Sequence, residues 1–277
     1  MNYRIPAQHA WQPALPPPTH TAVLRPNAGP FNPKLPIAEW AKLSLHFHAD
    51  PVQAEILNQP THRLLLCATR QWGKSTVAAI KALHLAYSKP GALILFKSES
   101  LKQSAELLRK FRVYATRLTG LTLKGDRLHP GSIVLPNGSR ILALPQSLNA
   151  LRSYSAVDLI VVDDAAFVND GAHKALTSML AVSNGQLWLL SHANTQSGEF
   201  YKLWSAASPA WSKWTITALE CPRITKEFLA AERLAKGEMI FNQEYMCRFA
   251  VHGDNGINRK KIEAAFHGDY PAMQFPD

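Results

Sequence analysis

The stretch Ala68-Thr69-Arg70-Gln71-Trp72-Gly73-Lys74-Ser75-Thr76 constrains the fold more than any other part of the chain. It follows an apolar run, Leu64-Leu65-Leu66-Cys67, that reads as a buried strand, and it precedes Val77 to Ser88, which reads as a helix. Strand, tight loop ending in Gly-Lys-Ser, then helix is the context a phosphate-binding loop requires. A helix begins with unpaired N–H groups, and its dipole concentrates partial positive charge there. A loop that turns further N–H groups inward makes a cradle for a β-phosphate. Residues Thr69, Arg70, Gln71, Trp72, Gly73, Lys74, Ser75 and Thr76 would form that cradle. Lys74 would reach the β- and γ-phosphates, the Ser75 hydroxyl would hold Mg²⁺, and Gly73 lets the backbone approach without a Cβ. One position departs from the G-x-x-x-x-G-K-[ST] pattern. Ala68 stands where the first glycine is usual, and alanine resists positive φ.

A second stretch has complementary chemistry. Val157-Asp158-Leu159-Ile160-Val161-Val162-Asp163-Asp164-Ala165-Ala166-Phe167 is an apolar strand ending in an acidic pair. Asp163 could bind Mg²⁺ through water, and Asp164 could orient or deprotonate an attacking water. In open α/β sheets the carboxyl ends of the strands line the ligand crevice, so the loop and Asp163 are expected to converge. Gln186-Leu187-Trp188-Leu189-Leu190 is another strand and delivers Ser191, His192, Ala193 and Asn194 to the same edge. A polar group there could touch a γ-phosphate and report its loss.

Composition limits the partners. The 277 residues suffice for one large domain or a domain and part of another. The formal net charge of +10 suits a nucleic-acid partner, although Lys and Arg are spread along the chain. No apolar run approaches the roughly 18 residues that read as a membrane span, and Met1 to Ala10 has no apolar signal core. The expectation is a cytoplasmic chain with no membrane partner. Cys67, Cys221 and Cys247 have no metal-ligand spacing and read as small buried residues of a reduced protein.

Residues 1–36 carry nine of the 19 prolines and read as an extended arm. Ile37 to Leu45 looks helical. Asp50 is a fair cap for the helix that follows, with Pro51 at its first position and Gln53 in its first turn. The Gln53 amide could pair with both the donor and acceptor edge of adenine; a plain solvated amide fits the same position. After a Pro90-Gly91 turn, Ala92 to Phe96 is a continuous apolar run, as in a strand covered on both faces. Ser98 to Leu118 is helical, with a basic side that reads as solvated surface rather than a DNA track. Ile133 to Leu144 is a hairpin around Asn137-Gly138. Gly198 to Ser205 starts a short helix, Trp211 to Leu219 is a strand, and Thr225 caps a helix to Lys236. Glu244 to Phe249 is a last strand. Of Trp72, Trp204, Trp211 and Trp214, which read as packing groups, Trp72 is the exception that its loop position could expose.

Together these stretches resemble the ATPase domain of the large terminase subunit, the motor that packages DNA into tailed-phage procapsids. The resemblance runs from about residue 37 to about 265. It rests on Gln53; on Arg70 to Ser75, close to a loop that in that family often lacks the first glycine; and on Pro136 to Ile141 and Leu151 to Ser155. It also rests on Leu159 to Phe167, Leu190 to Asn194 with Gly198 to Trp204, Cys221 to Ile224, and Glu244 to Phe249. The resemblance implies a RecA/ASCE-like P-loop NTPase: an α/β fold with a mostly parallel sheet and helices on both faces, spanning 37–250. It implies ATP and Mg²⁺ as cofactors, with Gln53 reading adenine, Ser75 and Asp163 at the metal, and Arg70, Lys74 and Asp164 catalytic. Ser191 to Asn194 would be the coupling motif. Double-stranded DNA, a terminase small subunit, a portal and further copies of the chain would be partners.

Three departures stand out. The family has Asp-Glu where this chain has Asp163-Asp164, Ser-Thr-Pro where it has Ser191-His192-Ala193, and often Arg-Gly where it has Arg152-Ser153. Residues 251–277 resemble the entry to the family's nuclease domain, with no cluster of nuclease carboxylates behind it, so no nuclease activity is expected. Aspartate is shorter than glutamate by one carbon–carbon bond, about 1.5 Å. A misplacement of about 1 Å can cost roughly 10²-fold in rate. The expectation is a nucleotide site with slow hydrolysis, or a non-hydrolysing binding or assembly module left by a prophage.

Overall fold

The structure, a computed structural model, describes residues 35–119, 123–125, 129, 131–145 and 154–251. Most of the Pro-rich segment, Arg152 and Ser153, and residues 252–277 lie outside them.

The frame is a seven-stranded sheet. Its strands are β1 (Arg63–Ala68), β2 (Leu93–Lys97), β3 (Ser132–Val134), β4 (Arg140–Ala143), β5 (Leu159–Asp163), β6 (Gln186–Ser191) and β7 (Ser212–Ile216). Their order across the sheet is β3-β4-β2-β5-β6-β1-β7. Only β3 and β4 pair antiparallel, joined by the Asn137-Gly138 turn, where Gly138 takes φ 84°. The other pairings are parallel.

Parallel strands covered on both faces become continuous apolar runs, and alternate residues serve the two faces. Leu64, Leu66 and Ala68 of β1 join Leu159 and Val161 of β5 in one core, packed under α1 (Ile37–Leu45), α2 (Pro51–Asn58), α3 (Lys74–Ser88) and α4 (Leu101–Thr119). Leu65, Cys67, Ile160 and Val162 face a second core under α5 (Asp170–Ser178) and α6 (Gly198–Ser205). The result is a mostly parallel α/β sheet with helices on both faces, as expected. No helix among the described residues is long and apolar enough to cross a membrane.

Local chemistry explains several boundaries. The Asp50 carboxylate accepts from Gln53 N–H, and the Gln53 side chain accepts from Asp50 N–H, closing a capping box at α2. The basic helix starts at Leu101 rather than Ser98 because Ser100 and Gln103 form a reciprocal pair there. The strand after α6 is shorter than expected: it stops at Ile216, and Thr217 caps a single 3-10 turn, Ala218–Glu220.

The C-terminal part departs most. Thr225 caps a helix that ends at Lys236, both as expected: Gly237, at φ 76° and ψ 162°, is outside the helical region and divides the segment α7 (Lys226–Tyr245) into two helices. The second of these, from Gly237 to Tyr245, was not expected. The strand expected over Glu244 to Phe249 is not formed. Glu244 and Tyr245 end α7, Cys247 turns in the left-handed region at φ 54°, and only Ala250 makes a strand-like bridge, to Thr195. The three cysteines are free and buried. Cys67 and Cys247, distant in sequence, meet where the Cys247 thiol lies 3.6 Å from the Cys67 carbonyl oxygen.

Candidate functional site

The sheet order explains why one edge carries the chemistry. β6 lies between β1 and β5, so the loop after β1, the acidic pair after β5 and the segment after β6 end side by side. They open on a cavity of about 560 Å³, within the usual range for small-ligand sites. It is lined by Arg70 to Thr76 of the loop and α3 apart from Trp72, by Asp163, Asp164 and Phe167 after β5, by His192 after β6, and by Glu99, Gln103 and Lys110.

The loop turns through two left-handed residues, Gln71 at φ 65° and Gly73 at φ 104°. A Cβ on Gly73 would stand 3.2 Å from Gln53 Nε2, so close packing as well as φ calls for glycine here. Lys74 begins α3 and folds over the loop. Its ammonium donates to the carbonyl oxygens of Ala68 at 2.7 Å and Thr69 at 2.9 Å. Burial pushes its pKa down, and the nearby Asp163 and Asp164 carboxylates oppose that shift.

Ser75 Oγ donates to Asp163 Oδ2 at 2.6 Å. The expected convergence of loop and acidic strand is therefore a direct hydrogen bond. The donor set is two hard oxygens from the protein, with room in the cavity for phosphate oxygens and water. That set suits Mg²⁺, which keeps much of its shell from water and substrate. Among the described residues, no group of three His, Cys, Asp or Glu side chains forms a metal cage.

Asp164 sits in the left-handed region, φ 53° and ψ 43°, at the start of the 3-10 turn Ala165–Phe167. Burial raises its pKa, and Asp163 beside it pushes the same way, against Lys74 and Arg70. Gln103 Nε2 donates to Asp164 Oδ2 at 3.5 Å. His192 Nδ1 lies 3.9 Å from Asp164 Oδ1. Burial, with the charges of Lys74 and Arg70, pushes the His192 pKa down to about 4. At neutral pH that imidazole is uncharged, so the contact is not an ion pair.

The expected coupling segment leads away from the acidic pair. Ser191 Oγ accepts from Ala166 N–H at 3.3 Å, and Ala193 is buried in the core. The Asn194 carbonyl accepts from Ala250 N–H at 2.9 Å and from Gln243 Nε2 at 3.1 Å. Segment 191–194 thus runs from the cavity to the end of α7.

Two expectations about the loop need correction. Trp72 is buried at 1% exposure, not exposed by its loop, because its indole packs into the core under α1–α4. Gln53 is not a solvated amide: it is 3% exposed and does not line the cavity. Its Nε2 donates to the Trp72 carbonyl at 2.9 Å and its Oε1 accepts from Asp50 N–H at 3.1 Å.

Other contacts were not readable from the motif. Arg223 donates to the same Trp72 carbonyl at 2.6 Å and pairs with Asp50 at 3.2 Å. Glu244 pairs with Arg70 at 3.0 Å and Lys236 at 2.7 Å, and its carbonyl accepts from Arg70 N–H at 3.2 Å. Sequence separation hides both. Gln103 had a local signal, the Ser-x-x-Gln pattern from Ser100.

The sheet, the loop and the position of the acidic pair define a P-loop-type α/β domain. The chain belongs to the terminase large subunit family: residues 65–264 match the family described as "Terminase large subunit, T4likevirus-type, N-terminal". Solved structures agree in fold. The large terminase ATPase domain of Thermus phage P74-26 superposes with a TM-score of 0.69 at 18% identity, covering 78% of this chain and 100% of that one. The large terminase of bacteriophage HK97 gives 0.62 at 16% identity, covering 73% and 51%. The large terminase of another thermophilic bacteriophage, in complex with ADP, gives 0.59 at 11% identity, covering 77% and 53%. This chain therefore spans about half the length of these last two proteins. No curated protein matches it.

Proposed function

We propose that this domain binds ATP with Mg²⁺, hydrolyses it, and couples hydrolysis to the movement of double-stranded DNA in phage genome packaging. The observation that carries the reading is the Ser75–Asp163 hydrogen bond, between two residues that line the cavity together with Lys74. It joins the two halves of a nucleotide site that are far apart in sequence. The thermophilic-phage large terminase found with ADP, similar in fold, also has a structure with ATP-γ-S.

Each residue then has a role. Residues Thr69 to Thr76 form the cradle, and the phosphates take the backbone N–H groups of Gln71 to Ser75, since those of Thr69, Arg70 and Thr76 already donate to the Ile216, Glu244 and Gly73 carbonyls. Lys74 exchanges its two loop carbonyls for β- and γ-phosphate oxygens. Ser75 and Asp163 would hold Mg²⁺, which supplies charge neutralisation between the phosphates when bound. Asp164 orients the attacking water. Arg70 leaves Glu244 to stabilise negative charge on the terminal phosphate. Gln53 serves the adenine nucleotide through the loop, by fixing the Trp72 carbonyl beside Gly73. Residues Ser191 to Asn194 carry phosphate loss to the end of α7. A small subunit, a portal and further copies of the chain complete the machine in the host cytoplasm.

One observation favours a second reading, a nucleotide-binding module without turnover. The carboxylate after Asp163 is an aspartate, already held by Gln103. Asp164→Glu separates the two. A rise in turnover by orders of magnitude means that the native site is crippled; little change means that aspartate serves. The direct test of the main reading is Mg²⁺-dependent ATP turnover of the chain, with and without double-stranded DNA, beside Lys74→Ala. Turnover lost in the variant and raised by DNA supports the motor. No turnover above the variant, with ATP still bound, supports the binding module.

A further inference from the structure

Asp164 is short and turned into a left-handed residue, but it is not the only second carboxylate at the cavity. Glu99 lines the same space as Lys74, Ser75, Asp163 and Asp164. Topology puts it there. β2 is the direct neighbour of β5, with Lys97 opposite Val162, so both strands deliver their carboxyl ends to one edge. The turn that carries Glu99 is pinned on both sides. Ser98 Oγ donates to the Asp163 carbonyl at 2.9 Å, and Lys97 Nζ donates to the Ser98 carbonyl at 2.5 Å. On the far side, Ser100 caps α4 by accepting from Gln103 N–H at 3.2 Å. Glu99 itself is exposed to the cavity. A glutamate has the methylene that Asp164 lacks, and a general base must reach within hydrogen-bond distance of its proton.

We propose that Glu99 is a catalytic carboxylate of this site, the base for the attacking water, with Asp164 orienting that water. The proposal rests on the ATPase reading above. In the step, a water oxygen forms the new bond to the γ-phosphorus and a Glu99 carboxylate oxygen takes the water proton. The bond from that phosphorus to the bridging oxygen breaks, and its electron pair leaves with ADP. The proton then passes from Glu99 to solvent with release of phosphate.

The test compares Glu99→Gln and Glu99→Asp with the wild-type chain, reading kcat for ATP with Mg²⁺ and, separately, ATP affinity by calorimetry. Loss of a general base costs about 10²–10⁴-fold in rate. Glu99→Gln is expected to lower kcat about 100-fold or more with ATP affinity within about twofold, and Glu99→Asp to retain more activity than Glu99→Gln. An unchanged kcat in Glu99→Gln, beside a wild-type chain that hydrolyses ATP, overturns this inference and leaves the ATPase reading intact. A parallel loss of affinity and kcat makes Glu99 a binding or structural group and also overturns it. A wild-type chain with no turnover above Lys74→Ala removes the ATPase reading, and the inference with it.

Discussion

The two halves of the phosphate loop are held differently. The front half, Thr69 and Arg70, has its N–H groups tied to main chain: Thr69 N–H donates to the Ile216 carbonyl at 2.8 Å and Arg70 N–H to the Glu244 carbonyl at 3.2 Å, with Lys74 on the Thr69 carbonyl and the Arg70–Glu244 pair beside them. In the back half the Gly73 carbonyl accepts from the start of α3, but the Trp72 carbonyl is held by side chains alone: Gln53 and Arg223 both donate to it. Main-chain bonds survive most substitutions of the residues that make them. Side-chain bonds do not. The back half should therefore be the sensitive half, although neither Gln53 nor Arg223 belongs to the loop motif.

The strongest break is Gly73→Ala. It forces a Cβ onto a residue at φ 104° and against Gln53 Nε2. Strain of this kind costs about 1–3 kcal/mol, and relieving it pushes the Gln53 amide off the Trp72 carbonyl. ATP affinity measured by calorimetry is expected to fall by about 100-fold or more, toward the upper end of that energy range. Near-native affinity would mean that the back half is not held tightly.

Arg223→Ala comes next. A hydrogen bond to a charged group contributes about 1.5–3 kcal/mol. Arg223 is 44% exposed and Gln53 keeps its own bond to Trp72, so the low end applies, about 1.5 kcal/mol. Thermal melting should fall by about 3–6 °C, with ATP affinity down about tenfold. Arg223→Lys should recover only part, because lysine is a point donor without the planar fork of arginine.

Glu244→Gln probes the front half and should do less. It weakens ion pairs to Arg70, which is 51% exposed, and to Lys236. Exposed pairs contribute about 0–1 kcal/mol, and the main-chain bond from Arg70 to Glu244 remains. Melting should shift by no more than about 2–4 °C. A larger loss than in Arg223→Ala would reverse the ranking of the two halves.

How much of this was legible follows the same division. The strand, loop and helix from Arg63 to Ser88 were readable because their signals are local: an apolar run, Gly-Lys-Ser, then helical periodicity. So were the capped start of α2, the Asn137-Gly138 turn and the acidic end of β5. The burial of Trp72 was not, because its indole packs into a core assembled from residues far along the chain. The end of α7 reads as a strand in sequence because Tyr245, Cys247 and Phe249 alternate like one. Instead a second helix follows the break at Gly237 and takes up Glu244 and Tyr245, and the left-handed Cys247 turns the chain away. Arg223 and Glu244 have no local signature of their contacts with the loop.

The smallest effect concerns acid. His192 beside the loop and His84 on α3, edge-on to Trp40 at 5.1 Å, both have pKa values pushed down to about 4, chiefly by burial. Both are neutral in the folded protein where the unfolded chain would already take up protons. Their contribution to stability is therefore present above about pH 6.5 and is lost as pH falls from there toward 4. Denaturant melts at pH 7.5 and pH 5 should show a loss that His192→Asn partly removes. Equal losses in variant and wild type would mean that His192 titrates normally.

The most direct measurement is calorimetric titration of the chain with ATP in the presence of Mg²⁺, beside Lys74→Ala. The expected result is saturable one-to-one binding to the wild-type chain, lost or weakened by about 100-fold or more when the ammonium over the loop is removed. Equal binding by both chains, or none by either, would contradict a nucleotide site at the joined ends of β1 and β5.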